Sequence, residues 1–107
     1  MRTEYRKLVR DRIPELIRRE GRTCATAVLS PSEYIATLKD KLVEEAQEAA
    51  RADAAGLLAE LADIREVVDA LAAATGISAP ELLQEQTRRR AERGGFENRI
   101  CLLWVES

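Results

Sequence analysis

The chain has 107 residues, a formal net charge of −2 and no histidine. This length predicts one domain, residues 1–107. No apolar run reaches about 18 residues, so we expect no membrane-spanning helix, and no apolar core of a secretory signal follows the basic N-terminal residues. Cys24 and Cys101 form neither a disulfide framework nor a zinc motif. We therefore expect reduced thiols in a cytoplasmic protein.

Charge is distributed unevenly along the chain, with basic ends around an acidic centre. Residues 31–85 contain twelve Asp or Glu against four Lys or Arg, whereas residues 1–22 contain eight basic residues against four acidic ones. A nucleic-acid-binding protein presents one continuous positive face, so we expect no nucleic-acid partner. The distribution is typical of a phosphorylated ligand bound with a cation, because carboxylates bind the metal and guanidinium groups bind phosphates.

The apolar composition predicts self-association. Alanine contributes 17 residues, while the chain has one Phe, one Trp and two Tyr. Small side chains let helices approach closely, but each buries little apolar area. We therefore expect helix pairs to complete their core across a subunit interface, in a homodimer or a homotetramer.

Four helices and two strands are predicted in chain order. Pro14 suits the first turn of a short helix, the capping boxes SPSE (30–33) and SAPE (78–81) begin two more, and glycines end the helices. The predicted elements are a helix at about 14–20, a strand at 22–29, a helix at about 31–52, a turn at 53–56, a helix to 75, a helix at about 79–93 and a strand at 98–106. The two strands could pair. The expected fold is mainly all-α, an antiparallel helical bundle with a small two-stranded β appendage.

The first long helix carries acids within its apolar side. At about 100° per residue, Glu45 falls between Tyr34 and Leu38, inside the apolar arc. Glu48 lies about 60° further round, at the margin of that arc, and Glu44 points more toward solvent. If these glutamates formed only a solvated face of the helix, none of them would lie on the side that packs against a neighbouring helix.

The second long helix repeats this arrangement. Glu60 lies within its apolar stripe and Asp63 lies at the margin, whereas Arg65, Glu66 and Asp69 project to the opposite side. If the two helices pack antiparallel, four carboxylates converge.

Four converging carboxylates require compensation, because burying an unpaired carboxylate costs at least several kcal/mol. The first long helix supplies three cations, Lys39, Lys41 and Arg51, which are too few to pair with the four carboxylates of the cluster. The chain has no His and no Cys near the acids, so all-oxygen ligation indicates Mg²⁺, with Mn²⁺ as the alternative.

The spacing of these acids resembles a known family. Glu44-Glu45-x-x-Glu48 followed by Glu60-x-x-Asp63 is similar to the EExxE…ExxD signature of the MazG-like, all-α nucleoside triphosphate pyrophosphohydrolases, whose relatives include phosphoribosyl-ATP pyrophosphohydrolase and the dimeric dUTPases. YRKLVRDRIPELI (5–17) and RGGFENRI (93–100) resemble the flanks of a small single-domain subgroup. The resemblance implies a MazG-like bundle that hydrolyses a nucleoside triphosphate to the monophosphate and pyrophosphate.

The resemblance also implies roles for individual residues. The implied metal ligands, which agree with the helical positions, are Glu45, Glu48, Glu60 and Asp63. Glu44 or Glu48 is expected to orient the attacking water or to accept its proton, as the catalytic residue. Basic side chains suit phosphate oxygens, and the candidates for substrate binding are Lys7, Arg10, Lys41 and Arg93.

Other interpretations remain open at this point. The substrate could be phosphoribosyl-ATP instead of a free nucleotide. The chain could also be a non-enzymatic helical dimerisation or regulatory module whose acids bind Mg²⁺ structurally or form interchain salt bridges. Nucleic-acid binding by RRRAERGG (88–95) is disfavoured, because its three consecutive arginines fan around a helix instead of forming one stripe.

Overall fold

Two 21-residue helices packed side by side form the centre of the fold. The computed structural model describes residues 1–107, which form four helices and no strand. The helices are α1 (Ile13–Arg19), α2 (Pro31–Arg51), α3 (Ala54–Ala74) and α4 (Ala79–Arg93). The fold is therefore all-α, as the sequence predicted. None of the helices combines the length and the apolar character that a bilayer crossing requires.

Side-chain caps determine where the three longer helices begin. The Ser30 hydroxyl accepts a hydrogen bond from the Glu33 N–H (3.3 Å), and the Glu33 carboxylate accepts one from the Ser30 N–H (3.2 Å). Ser78 and Glu81 form the same capping box at the start of α4. These reciprocal bonds satisfy N–H groups that have no partner inside the helix. Both capping boxes were predicted from sequence.

The link between α2 and α3 is shorter than the predicted turn at 53–56. The Asp53 carboxylate accepts a hydrogen bond from the Gly56 N–H at 2.9 Å and caps α3. Residues from Ala54 onward are consequently helical, and only Ala52 and Asp53 separate α2 from α3. A link this short folds α3 directly back against α2, which is the pair of helices with the most extensive packing in the chain.

The interface between α2 and α3 contains the small core. The buried apolar residues of the chain are Leu38 on α2 and Val67 and Ala72 on α3, and the acid Glu45 on α2 is buried as well. At the far end of α3, Gly76 adopts a positive φ of 81°, which residues with a side chain rarely adopt. This turn leads into α4, which packs against α3 alone among the helices.

A single copy of the chain leaves a large part of its surface uncovered. It measures 61 × 34 × 25 Å with a radius of gyration of 18.4 Å, whereas a compact chain of this length has about 13 Å. Its accessible surface is 9801 Å², against about 6,000 Å² for a compact monomer of this mass. Eighteen large apolar side chains are exposed.

The predicted two-stranded appendage is wrong. Neither 22–29 nor 98–106 forms a strand, and side chains in both segments are exposed, with Val28 at 101% and Trp104 at 71%. Two strands alone are at best marginally stable in water unless they pack on another element. Neither segment has such a support within the chain, so their β-forming composition does not produce a ladder.

Leu38 provides a test of the core of the α2–α3 helix pair, which we call the hairpin. Its side chain is only 2% exposed. Leu38→Ala is expected to lower the free energy of unfolding by about 2–5 kcal/mol, the usual range for such a truncation in a core. Chemical denaturation followed by circular dichroism measures the change. Lys39→Ala, on the exposed side of α2, serves as the control and should stay within about 0.5 kcal/mol. Equal losses in the two variants would contradict this assignment of the core.

Candidate metal centre

Three carboxylates from α2 and α3 meet at the helix interface. Oxygen atoms of Glu45, Glu60 and Asp63 all lie within 4.8 Å of one another. We call these three residues the acid group. This upper limit of 4.8 Å is slightly more than twice the Mg²⁺–oxygen bond length of about 2.1 Å, which is the separation of two oxygens on opposite sides of one ion.

The acid group contains two carboxylate oxygens that no protein atom compensates. Glu45 is 6% exposed, and its Oε2 atom is buried without a hydrogen-bond partner. Glu60 Oε2 is buried and unpartnered in the same way. An unsatisfied buried acceptor is strongly unfavourable, more so when it carries charge. A hard cation bound by both oxygens and by Asp63 would remove this penalty, so the residues present fit a divalent metal ion.

Lys41 neutralises only one side of Glu45. The Lys41 ammonium lies 3.3 Å from Glu45 Oε1 and 4.0 Å from Glu44 Oε1. It stands one turn before Glu45 on the same side of α2, which is the spacing at which helical side chains meet. Glu45 Oε2 remains unpartnered on the other side of the carboxylate.

Residues 1–12, which we call the N-terminal segment, place two basic side chains on the acids of the hairpin. The Arg10 guanidinium donates a hydrogen bond to Asp63 Oδ1 at 2.6 Å and lies 3.9 Å from Glu66 Oε1. The Lys7 ammonium lies 2.7 Å from Glu44 Oε1. Both residues were predicted to bind phosphate, and in this structure their partners are carboxylates.

The contact between Lys7 and Glu44 changes the proton affinity of both groups. The hydrogen bond from Lys7 lowers the pKa of the Glu44 carboxyl below its ordinary value of 4.5. The same bond raises the pKa of Lys7 above 10.5, and the negative charge of Glu48 contributes to that rise. Glu44 is thus held as a carboxylate, although the sequence placed it toward solvent; its side chain is 33% exposed.

Not all of the predicted site residues are brought together. Glu45, Glu60 and Asp63 meet as expected, and Lys41 lies beside them. Glu48 is exposed and lies outside the acid group, on the side of α2 that faces Lys7. Arg93 is exposed in the last turn of α4, a helix that packs on α3.

Sequence reasoning missed some neighbours of the acid group. Glu66 was assigned to the opposite side of α3, yet it stands three residues after Asp63 and shares Arg10 with it. A shallow recess of about 100 Å³ lies between the N-terminal segment and α2, lined by Arg6, Lys7, Leu8, Thr37, Asp40, Lys41 and Glu44. Thr37, Lys41 and Glu44 have the spacing of one helix side, which is the signal that could have revealed the recess.

Comparison with known proteins covers less than half of the chain. A stretch of 47 residues is 57% identical to an uncharacterized protein of Mycolicibacterium smegmatis, and it spans 44% of this chain and 48% of that protein. The chain thus matches about half the length of this relative. No protein-family model matches the chain, and no solved structure matches it. Function is therefore inferred from the acid group and its neighbours.

The pH dependence of N-terminal docking follows from the Lys7–Glu44 contact. Because the pKa of Glu44 is lowered, the contact contributes above pH 4.5 and is lost as the pH falls through the lowered value. Because the pKa of Lys7 is raised, the contact also contributes below pH 10.5 and is lost as the pH rises through the raised value. NMR signals of residues 5–10 should therefore report release of the segment on acidification below pH 4.5.

Glu44→Gln isolates the contribution of this carboxylate. The variant should show a looser N-terminal segment at neutral pH and should lack the acid step that belongs to Glu44. Far-UV circular dichroism recorded in parallel separates local release from unfolding of the helices. An unchanged acid step in Glu44→Gln would show that other groups, such as the Arg10–Asp63 pair, hold the segment alone.

Proposed function

We propose that the chain is a Mg²⁺-dependent nucleoside triphosphate pyrophosphohydrolase of the MazG-like type, with Mn²⁺ as the alternative ion. The reaction is hydrolysis of a nucleoside triphosphate to the monophosphate and pyrophosphate. One observation carries the proposal: two unpartnered, buried carboxylate oxygens, Glu45 Oε2 and Glu60 Oε2, within reach of Asp63. The order of the acids along the chain, Glu44-Glu45-x-x-Glu48 and then Glu60-x-x-Asp63, supports the same class.

The acid group holds the metal in this proposal. When bound, Mg²⁺ supplies positive charge that offsets the charge of the triphosphate while the bond between its α and β phosphates breaks. Glu45 and Glu60 each contribute an oxygen that has no other partner. Asp63 contributes the third oxygen, from the more exposed edge of the group.

Glu48 is assigned to the attacking water. It is exposed on α2 three residues after Glu45, outside the acid group, and as a carboxylate with access to solvent it can orient a water and accept its proton. Glu44 is less suited to that role, because the hydrogen bond from Lys7 lowers its pKa and so weakens it as a base. Glu44 instead positions Lys7 beside the recess at the N-terminal segment.

Basic residues of the N-terminal segment bind the phosphates in this proposal. Lys7 and Arg10 pair with carboxylates at the edge of the acid group, so they stand where a triphosphate chelated by the metal would arrive. Arg10 is 58% exposed and can exchange Asp63 for a phosphate oxygen without leaving a buried charge unpaired. Lys41 supports the site from α2. Arg93, in the last turn of α4, is the remaining candidate.

Self-association as a homodimer or homotetramer is part of the proposal. The single chain exposes 9801 Å², about 3,800 Å² more than a compact monomer of its mass. The hairpin contributes to this excess, with exposed apolar side chains at Val43, Leu57, Leu58 and Leu61. Covering these side chains with a second hairpin would supply the core that one copy lacks.

A nucleotide panel tests the proposed reaction. Purified protein with Mg²⁺ is offered ribo- and deoxyribonucleoside triphosphates and phosphoribosyl-ATP, and both pyrophosphate and orthophosphate are measured. Pyrophosphate is expected without orthophosphate, and the preferred substrate separates a nucleotide hydrolase from a phosphoribosyl-ATP hydrolase. Orthophosphate release would contradict the proposed bond, and no turnover of any member would favour the non-enzymatic helical module.

Glu45→Gln tests the metal ligand. The variant should lose turnover by at least about a hundredfold, the scale of removing one preorganised electrostatic partner from an active site. Its stability without metal should be unchanged or higher, because the substitution removes a buried charge that lacks full compensation. Calorimetric titration with Mg²⁺ and thermal unfolding measure these two effects separately.

Asp69→Asn, at an exposed position of α3, is the matched control for Glu45→Gln. It removes one negative charge from the same hairpin and should leave Mg²⁺ binding and turnover unchanged. Equal loss in the two variants would indicate a general effect of net charge. Unchanged Mg²⁺ affinity in Glu45→Gln would remove the acid group as the metal centre.

Arg10→Gln should change metal and substrate binding in opposite directions. Without Arg10, Asp63 has no competing cation, so Mg²⁺ should bind about two- to fivefold more tightly in the absence of nucleotide, the scale of a partly exposed ion pair. The KM for the nucleotide should rise about tenfold or more, because a charged hydrogen bond to phosphate is lost. Arg12→Gln, whose arginine pairs with Glu15 in α1, should change neither quantity. Tighter Mg²⁺ binding without a rise in KM would contradict phosphate binding by Arg10 and leave it only as the counterion of Asp63.

A further inference from the structure

The C-terminal segment, residues 96–107, is the most apolar uncovered part of the chain. It follows the highly charged helix α4 and contains six large apolar side chains that are between 71% and 96% exposed. They are Phe96, Ile100, Leu102, Leu103, Trp104 and Val105. A cluster of this kind is rare on a monomer and marks an interaction surface.

The beginning of this segment is anchored, whereas its apolar part is free. The Arg90 guanidinium donates a hydrogen bond to the Glu97 carboxylate, and the Arg99 N–H donates one to the Phe96 carbonyl at 3.1 Å. From Ile100 to Val105 the backbone has no regular structure and the large side chains contact little. The chain therefore exposes an extended apolar strip beyond the end of α4, and no other part of the same chain covers this strip.

A surface suited to such a strip exists at the corner between α3 and α4. A cavity of about 630 Å³ opens there, within the range of pockets that bury a ligand. Its lining residues are Arg65, Asp69, Ala72, Ala73, Gly76, Ile77, Ser78, Ala79 and Leu82. Small residues dominate the lining, so large side chains from outside can enter, and Ile77 is itself 42% exposed.

The strip and the corner lie at opposite ends of α4. The two ends of this 15-residue helix are about 22 Å apart; the corner contains Ala79 and Leu82 from its first turn, and the strip follows its other end after residues 94–99. Each copy thus has one uncovered apolar strip and one unoccupied corner. In a two-fold exchange between identical chains, the strip of each copy enters the corner of the other, so both are filled. The surface excess of about 3,800 Å² per chain also exceeds the roughly 800 Å² per partner that a stable interface needs.

We propose that residues 100–105 of one copy dock into the α3–α4 corner of a second copy, and that the second copy returns the same contact. The partner is therefore another molecule of this chain, and the contact is mainly apolar. The proposal specifies how the chain self-associates and is independent of the acid group, so neither a failed metal titration nor an inactive enzyme bears on it.

The chain contains its own reporter of this contact. Trp104 is the only tryptophan and lies within the docking residues. Its fluorescence emission should be that of a buried indole in concentrated protein and should shift to longer wavelength on dilution from the micromolar to the nanomolar range. Sedimentation velocity under the same conditions should show dissociation with the same midpoint. A water-exposed emission while the chain is assembled would overturn the proposal, as would a buried emission that persists in the monomer.

Ala73→Glu tests the receiving corner, and Ala59→Glu is its matched control. Both alanines are exposed and lie on α3, but only Ala73 lines the cavity, and Ala59 faces away from Leu57 and Leu61. Ala73→Glu should raise the concentration of half-assembly at least about tenfold, which corresponds to 1.4 kcal/mol, and Ala59→Glu should not. Circular dichroism verifies that both variants keep their helices. Equal effects of the two substitutions, or no effect of Ala73→Glu, would contradict docking at this corner.

Thiol labelling gives a second readout if Ala73→Glu disturbs the fold. Cys101 lies within the docking residues and is exposed in the single chain, while Cys24 lies outside them and serves as the internal reference. Maleimide should label Cys101 at least about tenfold more slowly in assembled protein than in diluted protein, relative to Cys24. A constant ratio of the two labelling rates across concentrations would overturn the proposal.

Discussion

Glu45 is buried against α3 although no group of the chain neutralises its second carboxylate oxygen. Lys41 contacts one oxygen, and the other has no hydrogen-bond partner, as is the case for one oxygen of Glu60 in the same acid group. Packing of the apolar side chains Leu38 and Val67 holds the two helices together although the buried carboxylates are unfavourable. The fold therefore maintains a site that is unfavourable without a cation, which is a common feature of binding sites on otherwise stable scaffolds.

The exposed acids around this centre have counterions of their own. Arg10 approaches Asp63, and Lys7 approaches Glu44, from a segment that precedes α1. These contacts join partly exposed groups, so each is weak and exchangeable in water. A buried pair would have held the basic side chains permanently. Because these contacts are partly exposed, the N-terminal segment can leave the carboxylates without leaving a buried charge unpaired.

The hairpin is large enough to position three carboxylates but too small to bury the apolar residues of the whole chain. Two helices offer each other one face, and the opposite face of α3 and the C-terminal segment stay uncovered. An alanine-rich interface increases this deficit, because small side chains bring the helices close without removing much apolar surface from water. The three acids meet within one chain, so formation of the acid group does not depend on the self-association that we propose.

Helix boundaries and the burial of Glu45 were accessible from sequence, because both depend on neighbours along one helix. Capping boxes act between residues three positions apart, and the angular position of an acid among apolar residues follows from helix geometry. Glu60 and Asp63 were placed by the same reasoning. The sequence thus predicted an all-α hairpin and the acids that meet across it.

Other features depend on contacts between distant residues, and only the tertiary structure decided them. Residues 22–29 and 98–106 have the composition of strands, but a strand needs a partner, and neither segment has one in the single chain. Glu48 was expected in the acid group because it lies at the margin of the apolar arc of α2. A small rotation of the helix is enough to expose a side chain at this margin. Local periodicity determined which residues face the neighbouring helix. The path of the chain outside the helices determined which charges Lys7 and Arg10 meet, because Asp63 lies 53 positions after Arg10 and Glu44 lies at a similarly distant position from Lys7.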